Sequence, residues 1–130
     1  MRFAKNVFLI AGIYGVLVMA PMYFMEAKTG IDYPPAITHP EYYYGFVGVT
    51  LAWQFAFLLM SRDPIKYRML MPVAMFEKFS YVVALIFLLA QNRVPAIVSV
   101  FGAIDFVLGV LFVMAFVKTK NGVNVASKNP

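Results

Sequence analysis

Apolar residues along this chain fall into four long blocks separated by short polar stretches, at 6–25, 41–60, 69–90 and 96–117. A helix of about 20 residues is about 30 Å long, which matches the hydrocarbon core of a bilayer. The pattern predicts an all-α fold: a single integral membrane domain in which four helices form a bundle.

The connecting stretches carry their own signals. The first block follows Arg2 and Lys5. Its apolar run is longer than a signal-peptide core and Ala20-Pro21 is a poor cleavage site, so it reads as the first membrane helix. Residues 26–40 hold Gly30, Pro34, Pro35 and Pro40, which predicts a loop and no continuous helix. Tyr33-Pro34-Pro35 is expected to be extended. Tyr42, Tyr43 and Tyr44 open the second block, where an aromatic belt belongs. The link 61–68 turns at Pro64, and Pro72 falls in the first turn of the third helix, where its missing N–H costs little. The turn 91–95 leads to the fourth helix. The tail, 118–130, is polar without an apolar period.

Small residues recur at helical spacing: Gly12 and Gly15, then Gly45, Gly48, Ala52 and Ala56, then Ser99, Gly102 and Gly109. Such stripes let membrane helices approach closely. They exceed what one small bundle obviously needs, which favours a partner.

Composition sharpens the class. The chain has 130 residues, 62% of them hydrophobic, and a mean hydropathy of +0.77. A soluble domain is nearer half apolar. The net charge of +5 comes from basic residues beside the apolar blocks, so it reads as a topology signal and implies no nucleic-acid partner. Arg2, Lys5, Arg62, Lys66, Arg68, Lys118, Lys120 and Lys128 fall on one side of a four-span layout, and only Lys28 and Arg93 on the other. Both termini are therefore expected in the cytoplasm and loop 26–40 outside. Cysteine is absent, which excludes disulfides, thiolate metal sites and a cysteine nucleophile.

Candidate chemistry lies in the third and fourth blocks. Glu77, Lys78 and Asp105 stand near the middle of otherwise apolar helices. Three such charges facing lipid would cost on the order of 8–10 kcal/mol. They are expected to turn inward and meet. Lys78 can pair with Asp105 while Glu77 holds a proton, the two carboxyl groups can share one, or a cationic or hydrogen-bonding ligand can complete the layer. Ser80 and Tyr81 follow Glu77 at three and four residues and share its face. Gln54 and Tyr14 are further polar candidates, and Trp53 is a stacking candidate.

Two readings of this layer stand side by side. In one it lines a polar pocket for a lipophilic molecule. Glu77 and Asp105 then act as candidate catalytic acid and base for isomerisation or cyclisation, with Lys78, Tyr81, Gln54, Trp53, Tyr14 and His39 around the ligand. In the other it is an ion pair plus a neutral acid that keeps the helices in register. His39 and Glu41, with Glu26 and Asp32 near them in the chain, suggest a metal only weakly, because one histidine lacks a second at fixed spacing. No metal and no cofactor is assigned. No phosphate loop, dinucleotide fingerprint, HExxH or GxSxG motif is present.

The stretches ITHPEYYYGFVGVTLAWQ, SRDPIKYR, FEKFSYV and FGAIDFVLGVLFV resemble small bacterial four-helix membrane proteins that are grouped loosely with DoxX-like proteins. That resemblance spans the chain to Val117. It implies the bacterial inner membrane, and an accessory role beside quinone-linked oxidoreductases. A looser similarity is to EXPERA-type bundles, such as sterol isomerases and sigma-2-like receptors. It implies a lipophilic ligand enclosed against acids, here Glu77 and Asp105. Two functions follow: a binder or isomerase of a lipophilic small molecule or lipid, or a non-catalytic accessory subunit of a larger membrane complex or homo-oligomer.

Overall fold

The computed structural model describes residues 1–126, with side chains described through Lys120. Among the described residues the fold is all-helical, with no strand. Helix α1 (Arg2–Met19) passes into a 3-10 turn (Ala20–Phe24), and the short α2 (Glu26–Asp32) follows. Helix α3 (Pro40–Arg62) returns. A 3-10 turn (Arg68–Leu70) starts α4 (Met71–Ala90), and another (Ala96–Val98) starts α5 (Ser99–Ala126). Four segments, Arg2–Phe24, Pro40–Arg62, Arg68–Ala90 and Ala96–Lys120, are long and apolar enough to cross a membrane. This is consistent with a multi-pass integral membrane protein.

Two differences from the sequence expectation stand out. Part of the stretch expected as loop is helical, because Glu26–Asp32 forms α2; only the proline-rich remainder is irregular. The last helix also runs on to Ala126, through most of the stretch expected as a tail. Residues 127–130, including Lys128, lie outside the described residues.

The turn after α4 is set by one residue. Asn92 adopts a left-handed φ of 54°. This lets Arg93 N–H donate to the Leu88 carbonyl and Asn92 N–H to the Leu89 carbonyl, both at 3.0 Å. That paired closure satisfies the last carbonyls of α4, and asparagine tolerates the conformation better than most residues.

The long helices pack as two pairs, α1 with α3 and α4 with α5, joined mainly through α1 and α5. One end of the bundle is closed by a shared core. Phe8, Phe57, Met60, Met71, Ala74, Phe112 and Ala115, drawn from all four long helices, are buried there. The rings of Phe8 and Phe112 stack at 4.6 Å, and Phe57 meets Phe112 edge-on at 5.0 Å. This is the basic end. Arg68 lies on the Phe116 ring at 3.7 Å and donates to the Phe116 carbonyl, and Lys118 lies over Phe3. At the other end, the loop end, Met19, Tyr43 and Val47 form a smaller core within the α1–α3 pair alone. The two pairs therefore separate toward the loop end.

Candidate functional site

The glycines decide how close the pairs come. A methyl group at Gly102 would stand 2.5 Å from Leu85 Cδ2, and one at Gly109 would stand 2.8 Å from the Phe79 ring. Those α4 side chains use the space that the α5 glycines leave. The close approach brings Lys78 of α4 to Asp105 of α5.

Lys78 is the centre of the site. Its side chain is only 6% exposed, with Nζ 3.1 Å from Asp105 Oδ1 and 3.2 Å from Glu77 Oε2. Its hydrogen bond to Glu77 goes to the other oxygen, Oε1, at 3.4 Å. Oε2 is nearer but misaligned, and it is buried without a hydrogen-bond partner. One ammonium thus bridges two carboxyl groups and, among the described residues, leaves Glu77 Oε2 without a hydrogen bond. The Phe57 ring, 5.5 Å from Nζ, lies beside it. Such a contact favours a desolvated cation.

A cavity of about 660 Å³ ends on this triad. Its walls come from α1 (Tyr14, Gly15, Val18), α3 (Phe46, Thr50, Gln54) and α5 (Phe101, Ile104, Leu108), while Glu77, Lys78 and Tyr81 are the α4 contribution. Toward the loop end, Met22, Met25, Thr29, Asp32 and Tyr33 line it. The cavity is a slot with mostly apolar walls and an ionic base.

The structure gathers Tyr14, Gln54, Glu77, Lys78, Tyr81 and Asp105 around this one cavity. Gln54 is buried at 2% exposure, and its amide donates to the Thr50 carbonyl at 2.9 Å. A methyl at Gly15 would fall on that amide, so the glycine makes room for the glutamine. Two candidates stand elsewhere. Trp53 lines a separate apolar crevice with Val49, Ala52, Ala56 and Leu70. His39 is exposed at the start of α3, 3.2 Å from Glu41 and with its ring tilted against that of Tyr42, 5.2 Å between centroids. Ser80 donates to the Glu77 backbone carbonyl and not to its carboxylate. Glu26 accepts from Tyr44 and Asp32 pairs with Lys28. Among the described residues, no three His, Cys, Asp or Glu side chains cluster as metal ligands.

The α2 contribution was not foreseen from the sequence. Its signal was the tyrosine run, which does more than sit in an interfacial belt. Tyr43 donates to the Met22 carbonyl at 2.7 Å and stands 3.4 Å from the Thr29 hydroxyl, and Tyr44 donates to Glu26 at 2.8 Å. These bonds hold the α2 region across the loop end of the cavity.

No family model, curated protein or solved structure matches the chain.

Proposed function

We propose that this chain is a bacterial inner-membrane protein, both termini cytoplasmic, that binds a lipophilic small molecule or lipid in the cavity between its helix pairs. The molecule's polar group sits against Glu77, Lys78 and Asp105. The observation that carries this reading is the cavity of about 660 Å³ with the triad at its base. The volume falls within the range of small-molecule sites, and a few polar groups in an apolar slot are the usual recipe for orienting a ligand. A layer built only to register helices needs no such space beside it.

The charge count narrows the ligand's polar group. Two carboxylates face one ammonium, which leaves one formal negative charge in a medium that disfavours it. A cation on the ligand or a proton on one acid balances that charge, and a neutral hydrogen-bond donor on the ligand stabilises it. In the latter state a carboxyl and a carboxylate share one cavity, and the pair can give a proton to an alkene and take another back. Isomerisation is thus chemistry available to Glu77 and Asp105.

A second reading, an accessory subunit of a larger membrane complex, has one observation behind it. Among the described residues nothing fills the space at Gly45, and Val49, Ala52, Trp53, Ala56 and Leu70 form an open apolar crevice along α3. The other glycines no longer support it. Gly12, Gly15, Gly48, Gly102 and Gly109 all have neighbours from this chain within 3.1 Å of an added methyl.

Ligand-induced stabilisation separates the readings. A panel of lipophilic amines, alcohols and acids is screened for its effect on the unfolding temperature in detergent. A ligand at a hundred times its Kd adds about 2.7 kcal/mol. The proposal expects one chemical class to stabilise the native chain and to lose that effect in Asp105→Asn, with Val83→Ala, on the outer face of α4, unaffected. A panel that stabilises native and Asp105→Asn chains equally rejects it.

A further inference from the structure

The cavity is blocked at its base and bordered by the α2 region at its loop end. Toward the basic end, the Phe8, Phe57 and Phe112 cluster with Met60 and Met71 leaves its members at 0% exposure, which blocks any path past Lys78 in that direction. Almost all of the cavity wall lies on the loop-end side of the triad: residues 14–22 of the first span, 46–54 of α3 and 98–108 of the last span. At the loop end the lining passes to Met25, Thr29, Asp32 and Tyr33. These residues belong to, or flank, a helix of seven residues that has no buried residue of its own.

What holds that helix is a small set of side-chain bonds. The Tyr43 and Tyr44 hydroxyls reach from α3 to Met22, Thr29 and Glu26. A segment that short is not stable as an isolated helix. Few buried apolar contacts and a few exposed hydrogen bonds also mark a part of a protein that opens at low free-energy cost. The packed basic-end core is the opposite case.

We propose that α2 is a cover over the cavity mouth, latched by Tyr43 and Tyr44, and that the triad exchanges ligand and protons with the loop-end side alone. This rests on the reading of the cavity as a ligand site. It adds that the site is one-sided, so the chain binds or transforms its ligand and does not carry it across the membrane.

The chain has no cysteine, so single introduced cysteines report access directly. Ile104→Cys puts a thiol in the cavity wall. Ile31→Cys on α2 and Met69→Cys before α4, at positions 78% and 80% exposed, mark the loop-end and basic-end sides. Oriented vesicles receive a membrane-impermeant thiosulfonate on one side at a time. The expected result is that Ile104→Cys reacts only from the side that labels Ile31→Cys. It reacts about fivefold faster when Tyr44→Phe is added, the change expected for losing one hydrogen bond of ordinary net worth. Tyr44 is partly exposed, so this variant leaves the core intact; Glu26→Gln, which weakens the same bond, gives the same direction.

Labelling from the Met69 side overturns the closed base. Labelling at one rate with and without Tyr44→Phe and Glu26→Gln overturns the cover. Labelling only by a lipid-soluble maleimide shows access through the bilayer and overturns the mouth. Because labelling needs no ligand, loop-end labelling with no ligand found rejects the binding function and keeps the cover. A bound ligand with basic-end labelling does the reverse.

Discussion

Lys78 carries more of the site than either acid. Its ammonium is the shared partner of Glu77 and Asp105 in a nearly sealed position. Removing one member of a buried charge group leaves the rest uncompensated, at a cost of about 3–5 kcal/mol. Lys78→Met is therefore expected to lower stability by about that much in mixed-micelle unfolding followed through the single tryptophan, Trp53. Adding Glu77→Gln and Asp105→Asn removes the stranded charges, and the triple variant should recover most of the loss. A Lys78→Met chain as stable as the native one would show that the ion pairs do not form. At this scale the acid layer was legible in the sequence, because a charge inside an apolar block is unmistakable. Side-chain direction was not. Trp53 and Gln54 are consecutive, and consecutive helical residues point about 100° apart. Both were candidates, yet only Gln54 faces the cavity while Trp53 faces the crevice on α3.

Between elements, glycine spacing sets the geometry, and equal-looking glycines differ. Gly15 sits against the Gln54 amide, whereas a methyl added at Gly45 would meet no packing partner within 4 Å among the described residues. Gly15→Ala is expected to cost about 1–3 kcal/mol through overpacking, and Gln54→Ala should relieve most of that cost in a double-mutant cycle. Gly45→Ala should be neutral or stabilise by up to about 1 kcal/mol, since alanine favours the helix. Unfolding temperatures of the native chain, the three variants of the cycle and Gly45→Ala decide it; equal losses at Gly15 and Gly45 would contradict the packing described. The four long helices were legible because twenty apolar residues in a row have few other solutions. Helix α2 was not, since Glu26–Asp32 contains Gly30 and is held by tyrosines far along the chain. The extension of α5 to Ala126 escaped notice for a related reason. Its last turns carry no apolar period to announce them, and Asn121, Gly122 and Asn124 are poor helix formers.

For the whole molecule, the division into a packed basic end and an open loop end is the organising fact. Lipid tails are as apolar as a leucine core, so membrane helices are held together by close packing and polar contacts more than by burial. The basic-end core supplies the packing, with aromatic rings from α1, α3 and α5 in mutual contact. The triad joins α4 and α5 where packing ends and the cavity begins. Hydropathy foretold four helices of spanning length, and the charges within those blocks an inward-facing acid layer. The cavity did not follow from them, because it depends on how far two helix pairs diverge.

Native mass spectrometry of the protein released gently from its own membrane tests the central claim most directly. The account predicts a non-covalent adduct of a few hundred daltons, the size a cavity of this class holds. It should persist in Val83→Ala and be lost from Glu77→Gln and Asp105→Asn chains that retain their helical content. A bare chain, or an adduct equally present in all four proteins, would contradict it and leave Glu77, Lys78 and Asp105 as a device for aligning helices.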